Sequence, residues 1–250
     1  MYIVFMNISI AAEPIFHIGN FPVTNSLLST WLVLIFIITA AVIIRFTYKK
    51  IPGGLQNFAE FILESFYNFA ESIAKEKTKV IFPLTMTIFI FILFNNWAGL
   101  IPGVGSIGFW EELHGEKVLI PFFRSGSADL NTTLALALIS VISIQYYGIK
   151  ELGLFKYGSK FINFKSPVDF FVGILEIISE FSKIISFAFR LFGNVFAGEV
   201  LLTILAFLIP VLVTVPFLGL ELFIGFVQAL VFAVLTLVFI NMAMVSHEQH

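Results

Sequence analysis

Along most of this chain the apolar residues neither alternate nor recur at helical spacing; they run on unbroken. Residues 27–44, 80–101, 130–149, 200–220 and 222–246 contain no charged side chain, and only Glu221 separates the last two runs. A helix crosses the roughly 30 Å hydrocarbon core with about 20 residues at 1.5 Å each. A transmembrane barrel would instead show alternating segments of about ten residues. The pattern predicts an all-α polytopic membrane protein with about five membrane-embedded helices. Residues 55–76 read differently. Asn57, Glu60, Glu64, Asn68, Glu71 and Lys75 recur at i+3 and i+4, with Phe58, Phe61, Ile62, Phe66, Phe69 and Ile73 opposite them. That periodicity predicts an amphipathic helix over 53–77 lying in the membrane interface. Residues 168–209 hold no proline, and one helix of that length would extend about 63 Å. It must break or run strongly tilted. Pro210, Pro216 and Gly219 mark a turn after it, so the last two helices are expected to be long, tilted and joined as a hairpin over 167–246.

The expected organisation is one membrane domain over 1–250. It comprises an external segment at 1–26, a first span at 27–44, the interfacial helix, a helical hairpin at 80–149 and the final hairpin. Composition narrows the class. The chain is 59% hydrophobic and 12% charged, against about 25% charged residues in soluble domains. This excludes a soluble enzyme, a disordered chain and a surface-bound amphipathic protein. The absence of cysteine excludes disulfides and thiolate chemistry. A net charge of −2 gives no basic field for nucleic acid. The N-terminal ten residues lack the basic start of a signal peptide.

The placement of charge sets orientation. Arg45, Lys49, Lys50, Lys75, Lys77, Lys79, Lys150, Lys156, Lys160 and Lys165 lie between the first and second runs or after the third. Loop 102–129 has only Lys117 and Arg124, set among Glu111, Glu112, Glu116 and Asp129. The positive-inside bias places the lysine-rich segments and the C-terminus in the cytoplasm and the N-terminus outside.

Chemistry concentrates in 167–246, where Asp169, Glu176, Glu180, Lys183, Arg190 and Glu199 occupy an otherwise apolar stretch. Each costs about 2.5–3.5 kcal/mol at bilayer depth on insertion scales, a load suited to a helix that faces water or another protein. Arg190 stays protonated, so it is a fixed charge and not a proton relay. At 100° per residue, Ser186, Arg190, Gly193, Asn194 and Ala197 share one stripe whose other members are small or short. Glu176 lies on nearly the same face, about 21 Å before Arg190, and Glu199 on the opposite face, about 13 Å after it. Glu221 and Gln228 share a face of the last helix.

These residues carry a resemblance. The run SFAFRLFGNVFAGE at 186–199, DLNTTLALA at 129–137 and QALVF at 228–232 resemble the signature of subunit a of F-type rotary ATP synthases. The likeness extends over most of residues 27–246. It implies a non-catalytic stator subunit of the membrane (Fo) sector, set against a rotating ring of c subunits and held with b-type peripheral stalk subunits in a hetero-oligomeric complex. Arg190 matches the essential arginine facing the ring carboxylate. Glu199, Glu221, Asn194 and Gln228 match the half-channel open to the P side. Glu176 matches the acid of the half-channel open to the F1 side, Ser186 is grouped with these half-channel residues, and Asp129 and Asn131 match a motif near the P-side entrance. The implied cargo is H⁺, with Na⁺ open because the ring supplies the ion ligands. No cofactor is implied. The membrane is expected to be a bacterial inner membrane, with an organellar energy-transducing membrane as the alternative. Some members of the family have His at one of the positions matched by Glu199 and Glu221; here both are carboxylates.

Plainer roles compete for several residues. Glu180 and Lys183 are spaced to pair with each other, Arg190 could bridge to Glu176 or Glu180, and Gln228 could simply hold helices together. Asp169 reads as a cap of the long helix or as a residue facing headgroups. Gly103 to Gly108 fits a GxGxxG pattern without a preceding strand, so a turn is expected there. Four isolated histidines offer no metal-ligand spacing. A secondary transporter would show repeated halves, and an intramembrane hydrolase a nucleophile or metal motif within a span; the sequence carries neither.

Overall fold

The computed structural model describes residues 9–101, 103–113, 116–161, 166–209 and 213–245. Seven helices are present among them: α1 (Asn25–Thr47), α2 (Gly54–Ala74), α3 (Thr78–Ala98), α4 (Leu130–Leu152), the short α5 (Leu154–Gly158), α6 (Pro167–Leu208) and α7 (Thr214–Ala243). Five helical stretches are long and apolar enough to cross a membrane, one of them formed by α2 and α3 in succession. The all-α expectation is met. The sequence reading did not foresee two small antiparallel hairpins, β1 (Pro14–Ile18) with β2 (Phe21–Thr24) and β3 (Gly108–Leu113) with β4 (Glu116–Pro121). Their short strands are too brief for alternation to stand out. In the first, Gly19 takes φ +64° at the turn, a region open to glycine without steric cost.

One further difference concerns the final hairpin. Thr214 opens α7, so Pro216 and Gly219 lie inside that helix and not in the turn. Proline is tolerated in a first turn because the N–H it lacks has no partner there in any case. Pro210 lies outside the described residues. Gly103 has φ +92° and precedes a single 3₁₀ turn, as expected of a turn and not of a phosphate loop. α6 runs unbroken for 42 residues.

The chain divides into two compact units. The first comprises Met1–Tyr48, Ile90–Thr133 and Leu191–Ala229; the second comprises Lys49–Phe89, Leu134–Arg190 and Leu230–His250. In α1 of the first unit the usual burial rule is inverted. The buried residues of α1 are Asn25, Ser26, Ser29 and Val33, while Leu32, Ile35, Phe36 and Ile38 are exposed. A helix bathed in lipid gains nothing by hiding its apolar residues, so polar groups seek the interior. Thr24 caps α1 by accepting from the Leu27 N–H. Asp129 does two jobs. One carboxylate oxygen caps α4 by accepting from the Asn131 N–H at 2.9 Å, and the other accepts from the Ser26 hydroxyl at 2.7 Å. Asn96 and Trp97 at the end of α3 donate to the Gly225 and Leu222 carbonyls of α7.

In the second unit α2 presents three faces. Phe66, Ala70 and Ala74 are buried, and Phe66 stacks on Phe89 of α3 with centroids 5.1 Å apart. Phe58, Phe61 and Phe69 are exposed, and the polar stripe lies between them and the buried face. The apolar side read as one surface is thus two: one packs on protein and one stays exposed. Lys77 ties this unit together by donating to the Met244 carbonyl at 2.7 Å and pairing with Glu151 at 3.3 Å. Phe187 of α6 packs on Phe232 and Phe239 of α7.

Candidate functional site

The residues singled out by sequence divide between the two units. Glu199, Glu221, Asn194, Gln228, Asp129 and Asn131 belong to the first; Arg190, Ser186 and Glu176 belong to the second.

In the first unit a cavity of about 320 Å³ is lined by Asn96, Arg124, Ser125, Glu199, Thr203 and Glu221 among others. Three carboxylates, Glu13, Glu199 and Glu221, and the Arg124 guanidinium therefore share one space inside an apolar unit. Arg124 reaches it from the loop before α4. Its Nε donates to Glu199 Oε2 at 3.1 Å, its Nη1 donates to the Ala11 carbonyl at 3.2 Å, and its guanidinium lies 5.6 Å from the Phe196 ring centroid. Glu221 is buried, and its carboxylate packs directly against Gly198, where a Cβ would collide with it. Asn96 is buried with its amide spent on Gly225, and its Oδ1 has no partner among the described residues. An acceptor at that depth, beside a cavity with charged groups in its lining, suits a water molecule. Gln228 is half-buried, while Asn131 and Asn194 are exposed.

In the second unit Arg190 is exposed on α6 and donates through Nη2 to Ser186 Oγ at 3.1 Å. Ser186 is exposed beside it, and Ser182 is exposed one turn earlier on the same helix. Glu176 pairs with Lys160 at 2.6 Å. Glu180 is buried, and both its oxygens are occupied: Lys183 donates to one at 2.7 Å and Gln145 to the other at 2.9 Å. The spacing-based pairing of Glu180 with Lys183 is found. Tyr157 of α5 donates to Gln145 Oε1 at 2.8 Å, and its ring lies against Gly148, where no side chain would fit. Burial first, and then the Glu180 and Glu176 carboxylates, push the Tyr157 phenol up to about 12.

Sequence reasoning missed Arg124, Gln145 and Lys160 as partners of the acids, Asn96 in the cavity lining and Tyr157 behind Gln145. Arg124 was one charge in a loop read only for orientation; its signal was a lone arginine among Phe122, Phe123 and small residues. Asn96 carried a plainer signal, as one of two adjacent amides in a charge-free run. No group of three or more His, Asp or Glu among the described residues could hold a metal ion.

The family model described as "ATP synthase A chain" matches residues 27–241. The ATP synthase subunit a of Gloeobacter violaceus is 34% identical over 227 residues, covering 90% of this chain and 86% of that protein. The ATP synthase subunit a of Moorella thermoacetica is 34% identical over 226 residues, covering 90% of this chain and 93% of its own.

Proposed function

Because the chain belongs to the ATP synthase A chain family, we propose that it is the proton-translocating stator subunit of the membrane sector, working against a ring of c subunits. As a member of that family it is an integral membrane protein and one part of a hetero-oligomeric complex.

Two half-channels, each open to one side of the membrane, are the core of the reading. The observation that carries it is the cavity holding Glu199 and Glu221 with Arg124 inside an apolar unit. Protons arriving from the P side pass through this cavity, with Asn194 and Gln228 as further polar residues of the same unit and with Asp129 and Asn131 near its entrance. Glu176, in the second unit with Arg190 and Ser186, serves the route on the F1 side. Arg190 faces the passing ring carboxylate. A fixed positive charge favours the ionised form of that acid and so promotes its deprotonation. The same charge opposes direct passage of cations between the half-channels, so each proton must ride the ring. The exposure of Arg190 on α6 beside short side chains supports this, since another helix can approach there. Each proton crossing 100 mV yields about 2.3 kcal/mol, which the complex sums over many steps to make ATP. The chain itself positions charge and carries out no bond chemistry, and the b-type stalk holds it against rotation.

In membranes containing the assembled complex, Arg190→Ala is expected to abolish coupled ATP synthesis, measured as ATP formed under an imposed proton gradient. Normal synthesis by that variant would overturn the assignment.

A further inference from the structure

The first unit contains an arginine that the proposed half-channels leave without a task. Arg124 is buried, although it comes from a loop. A guanidinium in such surroundings is costly unless paired, and the fold spends several contacts on keeping this one in place. Its own N–H donates to Ser29 Oγ of α1, the neighbouring Ser125 hydroxyl donates to the Asn95 carbonyl of α3, Nη1 donates to the Ala11 carbonyl, and Phe196 of α6 lies at its face. These contacts leave Nε for the Glu199 carboxylate.

The two partners differ in what they can do. Arg124 cannot exchange its proton, and its side chain is only 6% exposed. Glu199 can, and its side chain is 37% exposed. The bond engages Glu199 Oε2, and Glu199 lines the cavity. Glu221 and Glu13 line the same space and are the other acids in it.

We infer that Arg124 is a positioning residue for proton uptake: it anchors one oxygen of Glu199 so that the other is presented to the cavity. A proton settling on Glu199 weakens its bond to Arg124, so the carboxylate is held as a carrier and not as a trap. The inference rests on the reading that Glu199 lies on the proton path.

The test uses the full complex in membrane vesicles, with ATP-driven proton pumping read per assembled complex and the amount of this chain measured by immunoblot. Arg124→Gln is expected to lower pumping about tenfold. Arg124→Lys, which restores the charge without the fork, should fall only about threefold. Glu199→Gln should fall at least tenfold, and the double variant Arg124→Gln/Glu199→Gln should be no slower than Glu199→Gln alone, because Arg124 acts through that carboxylate. Normal pumping by Arg124→Gln beside a slow Glu199→Gln overturns this inference alone, as do losses that multiply in the double variant. Normal pumping by Glu199→Gln overturns the underlying reading and this inference with it. Should Arg124→Gln leave no complex, Arg124→Lys decides: a threefold fall that vanishes in the Glu199→Gln background supports the role, and normal pumping overturns it.

Discussion

A single side chain shows how much of a site rests on neighbours that a sequence does not reveal. Tyr157 sits in a one-turn helix that no periodicity marks, yet it closes a chain of bonds through Gln145 to Glu180 and Lys183. Its phenol is shifted from 10.0 up to about 12 by burial and then by Glu180 and Glu176. For a group whose pKa is raised on folding, the stability it contributes is complete below the unfolded value and is lost as pH rises through the folded one. Tyr157 is expected to ionise at about pH 12. Ultraviolet titration should lose a tyrosinate step near that pH in Tyr157→Phe. Glu180 with Lys183 was legible because i+3 spacing is local. Arg124 with Glu199 was not, because 75 residues separate the partners and only the fold brings a loop onto α6.

At the level of elements, helices announced themselves and their faces did not. Runs without charge identify α1, α3, α4 and α7, since lipid demands apolar side chains on every side. The same uniformity hides which side packs. On α2, Phe61 and Phe66 look alike in sequence, but Phe61 is 66% exposed and Phe66 is 8% exposed against Phe82 and Phe89. Phe66→Ala removes ring contacts that lipid cannot replace, a loss on the order of 2 kcal/mol from the cavity alone. It is expected to lower the thermal midpoint of the detergent-solubilised complex, while Phe61→Ala leaves it within about a degree; equal shifts would contradict the three-faced arrangement. The strands escaped notice for another reason. β1 to β4 are four to six residues long, too short for alternation to rise above a background rich in Phe and Ile.

For the molecule as a whole, the scarcity of charge implies a topology that can be checked directly. The positive-inside bias predicts the lysine-rich segments on the cytoplasmic side and loop 102–129 on the other. The chain contains no cysteine, so single cysteines report without a background. Phe155, 94% exposed, and Ile107, 57% exposed, suit this use. In sealed inverted vesicles an impermeant maleimide is expected to label Phe155→Cys at once and Ile107→Cys only after the membrane is opened. The reverse order would invert the topology.

The contact between Glu221 and Gly198 has a consequence for any substitution at 198. The carboxylate occupies the space that a Cβ at 198 would need, so a side chain there is admitted only if the Glu221 carboxylate, the far end of a flexible side chain, swings aside. A change at 198 would thus move an acid of the cavity without altering that acid's chemistry, and the two positions are coupled through that displacement.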